Sequence, residues 1–178
     1  EEDDKGMGND DLVGKVQAQA PPTKSSPIGE IFYGYLMLCA NSFQPAMGYL
    51  YRALALQQSD PLLCLLCGVA SLGRSTNRQV DNRNHTIIQG MALFTHYAEL
   101  RGDIPEVDYN FARAYHHLNL VHLAVPRYER VLERASSKAS KGTFDMAREA
   151  AFNLAMIFTQ SGSPDLARHL YRTWLAVE

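Results

Sequence analysis

Three histidines, His116, His117 and His122, fall within seven residues of this chain, in the stretch YNFARAYHHLNLVHLAVPRYERVL from Tyr109 to Leu132. A zinc site carried on helices wants two ligands three or four residues apart on one face, a third ligand, and usually an acid nearby. Adjacent histidines on a helix diverge by about 100 degrees, and His122 lies across a turn after Asn119. The stretch therefore reads as a helix pair bearing surface histidines, with no metal and no cofactor. Cys64-Leu65-Leu66-Cys67 has the spacing of a redox pair, but it stands in an apolar helix and reads as two packing cysteines. Asp103, Glu106 and Asp108 suggest paired carboxylates; the simpler reading is the acidic start of a helix. GVASLG around Gly68 lacks the lysine and hydroxyl residue that grip a nucleotide phosphate. None of these constellations supports catalysis, and the chain is not expected to be an enzyme.

The elements that hold these residues follow from composition and periodicity. The 178 residues, 46% hydrophobic, suffice for one sizeable core or a short repeat array. No apolar run approaches the roughly 18 residues that span a bilayer, so no membrane partner is expected. Three cysteines, Cys39, Cys64 and Cys67, are too few for a disulfide framework and favour a reducing compartment. Residues 1–27 hold six acids and three lysines, a charge of −3; the net charge of −2 leaves +1 for the rest. Such a body lacks the basic excess of a dedicated nucleic-acid binder. Residues 1–27, acidic and rich in Pro, Ser and Gly, read as a linker or disordered insert. From Ile28 onward apolar residues recur at helical spacing without strand alternation, so residues 28–178 are expected to be all-α. Asp60-Pro61 and Ser163-Pro164-Asp165 mark helix starts, each offering a capping side chain, and Gly102 and Gly162 mark helix ends.

Internal repetition refines this. Small residues at Gly34, Gly68, Ala112 and Ala155 are followed three residues on by Met37, Ser71, Tyr115 and Phe158. Further along each unit stand a second small residue (Ala46, Gly90, Ala124, Ala167), a large one (Leu50, Phe94, Tyr128, Tyr171) and a third lattice position (Ala53, Tyr97, Val131, Trp174). This is the lattice of tetratricopeptide helix pairs, in which small side chains let paired helices approach and large ones fill the space between neighbours. The expected fold is a tetratricopeptide-repeat superhelix of about four divergent antiparallel helix pairs, with repeats at about 28–60, 61–103, 104–145 and 146–178. Spacings of 34, 44 and 43 residues place insertions near Arg74 to Arg83 and Ser136 to Asp145. The position that usually carries Trp holds Glu30, Cys64, Asp108 and Ala151, the closing proline is missing, and Pro126 is expected to kink or delay its helix.

In such arrays the first helices of successive pairs line a concave groove. Position in the lattice assigns that lining to Ile31, Leu65, Tyr109 and Phe152, with Tyr35, Val69, Arg113 and Met156 beside them. A mostly apolar lining suits an amphipathic helix or a folded partner. An alternative is a cochaperone-like module that clamps acidic C-terminal peptides, although only Arg113, Asn110 and Asn153 point that way. The final stretch PDLARHLYRTWLAVE carries an apolar stripe too broad for one partner helix, which makes Leu166, Leu170 and Leu175 a second candidate face. Basic residues gather at Arg74, Arg78 and Arg83, and at Arg127, Arg130 and Arg134 with Lys138 and Lys141. Ordinary solvation is the default reading, and contact with phosphates or an acidic partner is the other.

The segments HTIIQGMALFTHYAELRG, YNFARAYHHLNLVHLAVPRYERVL and REAAFNLAMIFTQSGSPDLARHLYRTWL resemble the C-terminal end of the large tetratricopeptide subunit of transcription factor IIIC. The resemblance covers about residues 30 to 178 and is not carried to residues 1–27. HTIIQG (His85 to Gly90) and the ending Tyr171-Arg172-Thr173-Trp174-Leu175 carry it beyond the shared lattice. What it implies is a nuclear, non-enzymatic scaffold in RNA polymerase III transcription, within the module that recognises the upstream internal promoter of transfer RNA genes. The implied partners are other subunits of that factor, with transcription factor IIIB reached through N-terminal repeats that this chain lacks, and DNA mainly through the complex.

Overall fold

Pro27, Pro61, Pro105 and Pro164 each stand in the first turn of a helix, where the missing N–H is one the helix would leave unused. The computed structural model describes residues 26–136 and 146–176. The described helices are α1 (Pro27–Cys39), α2 (Phe43–Leu56), α3 (Pro61–Ser75), α4 (Arg83–Arg101), α5 (Pro105–His117), α6 (Val121–Ser136), α7 (Ala147–Gln160) and α8 (Pro164–Leu170), the last running into a π-helical turn, Tyr171–Leu175. No strand occurs among the described residues, and the helices pack as antiparallel pairs: α1 with α2, α3 with α4, α5 with α6, α7 with α8. The fold is the all-α, tetratricopeptide-like superhelix that the lattice predicts. The 1–27 linker and the Ser136 to Asp145 insertion lie almost wholly outside the described residues, as do Lys138 and Lys141.

Three of the four hairpins turn by one device. Asn41, Asn119 and Gly162, each seven residues after the small lattice residue, adopt φ of 54°, 60° and 78°. The next residue's N–H reaches back to the carbonyl of Met37, Tyr115 or Phe158 at 2.8 Å in all three. This left-handed stop with a six-residue bond closes the first helix and aims the chain back along it. In the second pair α3 ends instead at Ser75 and an insert follows, so α4 begins at Arg83, with the Asn82 side chain accepting from the His85 N–H at 2.9 Å. Asp60 caps α3 as its sequence suggests, accepting from the Leu62 and Leu63 N–H groups. Ser163 makes no side-chain cap bond, so that start rests on Pro164 and on Asp165 in the first turn. The helix containing Pro126 is continuous from Val121 to Ser136, and the proline neither delays nor ends it.

The core is not one mass but three clusters, each joining successive pairs. Ala46, Leu50 and Ala53 of α2 meet Leu63, Cys67 and Ala70 of α3. Cys64 and Leu72 of α3 meet Phe94 and Tyr97 of α4 and Phe111 of α5. Ala112, Ala124 and Tyr128 meet Ala151, Leu154 and Ala167. Stability in such a stack is a sum of neighbour interfaces. The close approaches are visible at Gly34, where an added Cβ would lie 2.6 Å from Leu50, and at Gly68, where it would lie 2.8 Å from Phe94. The lattice fails once: Tyr171, expected inside, is 41% exposed, while Leu170 beside it is buried. In earlier pairs this position is sandwiched between its own pair and the next, whereas among the described residues no pair packs beyond α8.

Candidate partner-binding surfaces

The groove row divides by depth. Tyr35, Val69, Arg113 and Met156, each one residue past the small lattice residue, are all exposed, as is Phe152. Ile31 and Leu65 are half-buried against the core clusters below them. Tyr109 corrects the expectation: it is 7% exposed, its ring 6.1 Å from that of Tyr128, and its hydroxyl accepts from the Asn153 amide at 3.2 Å. It forms part of the groove floor, packed on Tyr128, and only its edge borders the open row.

Two cavities of about 300 Å³ open along this row. One is bounded by Leu38, Phe43, Val69, Phe94, Arg113 and His117 among others, and the other by Tyr109, Arg148, Glu149, Phe152, Asn153 and Leu175. The second places half-buried Leu175 with the groove. The proposed C-terminal face therefore comes apart: Leu166 is exposed, Leu175 flanks the groove, and Leu170 is packed into the last core cluster with Trp174 against it. Leu170 stands three residues after buried Ala167 on the side facing α7, which is why it cannot serve as an open contact.

The basic residues also part company. Arg74, Arg78 and Arg83 form no ion pair among the described residues. Arg127, Arg130 and Arg134, spaced along α6, converge on two carboxylates: Arg127 Nη1 lies 2.7 Å and Arg130 Nη1 3.3 Å from Asp108, and Arg134 Nη2 lies 2.6 Å from Asp103. Asp108 is 1% exposed, and the Arg127 guanidinium also covers the Phe111 ring at 5.0 Å. Of the six arginines offered as possible phosphate or acidic-partner contacts, Arg127, Arg130 and Arg134 are thus engaged by the protein itself. Asp108 is more than an acidic helix start: it is a buried counter-ion.

A sequence signal for this existed. Glu30 and Asp108 occupy the lattice site that usually holds Trp, and each has an arginine 22 residues later, Arg52 and Arg130. Glu30 is buried too, accepting from Arg52 Nη2 at 2.8 Å and from its Nε at 3.1 Å. The repeat has exchanged a bulky ring for an acid clamped by its own second helix. Both Cys64 and Cys67 are buried free thiols, and burial pushes Cys67 up to about 12, which keeps it protonated. His117 and His122 are exposed and His116 is half-buried; among the described residues no three His, Cys, Asp or Glu are grouped to hold a metal ion, and no helix is long and apolar enough to cross a membrane.

Paired helices with an open concave row and a core of inter-pair clusters define a divergent helical-repeat array. No family model matches the chain. It is 35% identical over 182 residues to transcription factor tau subunit sfc4 of Schizosaccharomyces pombe, a match covering 94% of this chain and 18% of that protein. It is 32% identical over 163 residues to the transcription factor tau 131 kDa subunit of Saccharomyces cerevisiae (88% of the chain, 15% of that protein), and 28% identical over 150 residues to general transcription factor 3C polypeptide 3 of Homo sapiens (83% and 17%). The chain belongs to the family of large tetratricopeptide subunits of transcription factor IIIC, and spans less than a fifth of the length of these relatives. A match over 94% of the chain cannot be confined to residues 28–178, so the likeness to the fission yeast protein reaches into the first 27 residues, further than the quoted segments carry it.

Proposed function

We propose that this chain is a non-enzymatic assembly surface of transcription factor IIIC, holding neighbouring subunits of the module that engages the upstream internal promoter of transfer RNA genes. The observation that carries the reading is the match to transcription factor subunits over most of the chain, joined to an exposed row, Tyr35, Val69, Phe152 and Met156, that the packing of the array leaves free. An apolar row of this kind stabilises a partner helix by removing its apolar face from water, at about 25 cal/mol per Å². The site of action is the nucleus. Contact with DNA runs mainly through the complex, since Arg127, Arg130 and Arg134 are held by Asp103 and Asp108. Arg74, Arg78 and Arg83 remain the candidates for a phosphate or an acidic partner surface. Initiation factor IIIB is assigned to repeats outside this chain. A cochaperone-like reading of acidic tails lacks the lysines of a clamp.

The test is affinity purification of the tagged 178-residue chain from a nuclear extract at moderate salt, with mass spectrometry of what is retained. Enrichment of transcription factor IIIC subunits is the expected result. Retention of chaperones alone would overturn the assignment.

A further inference from the structure

A third cavity on the concave side, of about 250 Å³, has a lining whose hydrogen-bonding groups the packing of the helices uses only in part. Arg113, His116 and His117 of α5, Tyr128 of α6 and Asn153 of α7 form it, and every one of these side chains can donate a hydrogen bond. No carboxylate is among them. Arg113 forms no ion pair among the described residues and is held over the Tyr109 ring at 6.0 Å. Asn153 donates to the Tyr109 hydroxyl, which leaves its second amide hydrogen for another acceptor.

Tyr128 is the telling member. It is fully buried, its ring fixed by Tyr109 at 6.1 Å and by the edge of His116 at 6.3 Å, yet its hydroxyl has no hydrogen-bond partner among the described residues. An enclosed hydroxyl without a partner is destabilising, and such groups are rare in folded proteins. The fold does not call for it: Leu50 and Phe94 fill the same lattice position in the first two pairs with no polar atom at all. The hydroxyl is therefore suited to an acceptor that arrives from outside.

We propose that this cavity is a subsite for a carboxylate side chain, Asp or Glu, on a segment of a partner protein, whose neighbouring apolar side chain enters the adjoining cavity that shares Arg113 and His117. A carboxylate offers about four acceptor positions, which match an arginine fork, a tyrosine O–H and the imidazole and amide donors around it. A single charge fits better than a phosphate dianion. Arg113 is the one permanent cation of the lining, and burial together with neighbouring His117 lowers the proton affinity of His116. The adjoining cavity supplies the apolar half through Leu38, Phe43, Val69 and Phe94. The inference rests on the groove being the partner-binding face.

The test is a nuclear magnetic resonance titration of the 178-residue chain, reading the Arg113 side chain and the His116 and His117 imidazoles. The probes are N-acetyl-leucyl-glutamyl amide, its glutaminyl counterpart, and inorganic phosphate. The glutamyl probe should shift these signals with millimolar saturation and the glutaminyl probe should not. Both Arg113→Gln and Tyr128→Phe should weaken the glutamyl probe by about tenfold, with Tyr128→Phe retaining the fold because only the unpartnered hydroxyl is lost. Equal binding of the glutaminyl probe, stronger binding of phosphate, or no shift in the millimolar range would each overturn the subsite. Its fate is separable from that of the scaffold reading. Subunit capture without glutamyl binding removes the subsite alone, and glutamyl binding without subunit capture removes the scaffold reading alone.

Discussion

Arginine is put to opposite uses on two neighbouring helices of this array. On α6, Arg127, Arg130 and Arg134 are drawn against Asp108 and Asp103 and help fasten the third helix pair to itself. On α5, Arg113 lies over the groove with an aromatic ring beneath it and no ion pair among the described residues. Residue type alone does not tell these apart, and neither does local density of charge: the α6 arginines form the denser cluster and are the less available. What separates them is whether a buried carboxylate lies within reach. A partner-binding surface is marked by donors and apolar faces that the fold leaves unmatched.

Substitutions that exchange the two situations give the sharpest contrasts. Asp108→Ala would empty a buried site and deprive Arg127 of its counter-ion, and because that guanidinium still reaches water the loss should be about 2–4 kcal/mol, below the most a fully buried pair costs. Urea denaturation should show that loss, whereas a shift below about 1 kcal/mol would mean that the pair is a surface ornament. Leu170→Ala should cost about 2–4 kcal/mol in the same assay because it opens a hole in the last core cluster. A neutral result there would return Leu170 to the partner face. Tyr128→Phe should act in the other sense, raising stability by about 1 kcal/mol through loss of an unsatisfied hydroxyl, so a destabilised variant would show that the hydroxyl is satisfied within the folded chain. Arg113→Gln and Arg78→Ala should leave stability within about 0.5 kcal/mol, since neither side chain has an ion pair to lose.

Acid should loosen the α6 cluster. The Arg134 guanidinium holds the Asp103 carboxyl below its ordinary range, so the stabilising contribution is present above the unfolded carboxylate value and fades as pH falls through the folded one. Melting temperatures measured at falling pH should drop less in Arg134→Gln than in the parent chain.

The helix pairs were legible because the tetratricopeptide lattice is a packing requirement written in residue size: a small side chain at Gly34 or Gly68 is needed where Leu50 or Phe94 presses in. The turns were half legible. Gly162 announces a left-handed stop, but Asn41 and Asn119 do the same work and are easily passed over. Exposure of Tyr35, Val69, Arg113 and Met156 followed from position within the repeat. Tyr109 and Leu170 did not, since their burial depends on which neighbour fills the adjoining space, and one-dimensional spacing does not report that. The ion pairs escaped for a different reason. They join residues 19 to 31 positions apart, and comparison of the first and third repeats, acid and arginine 22 apart in each, would have exposed only Glu30 with Arg52 and Asp108 with Arg130.

Under the proposal made above, the concave row binds transcription factor IIIC subunits while the ion pairs at Glu30 and Asp108 hold the array together. The most direct measurement is quantitative capture of those subunits from nuclear extract by the 178-residue chain carrying Val69→Glu and Met156→Glu, with circular dichroism and melting temperature recorded on the same preparations. Both side chains are exposed, so helicity and melting should be unchanged and capture reduced at least about tenfold, a loss of some 1.4 kcal/mol or more. Full capture by this intact double variant would contradict the proposal and move the binding face off the groove.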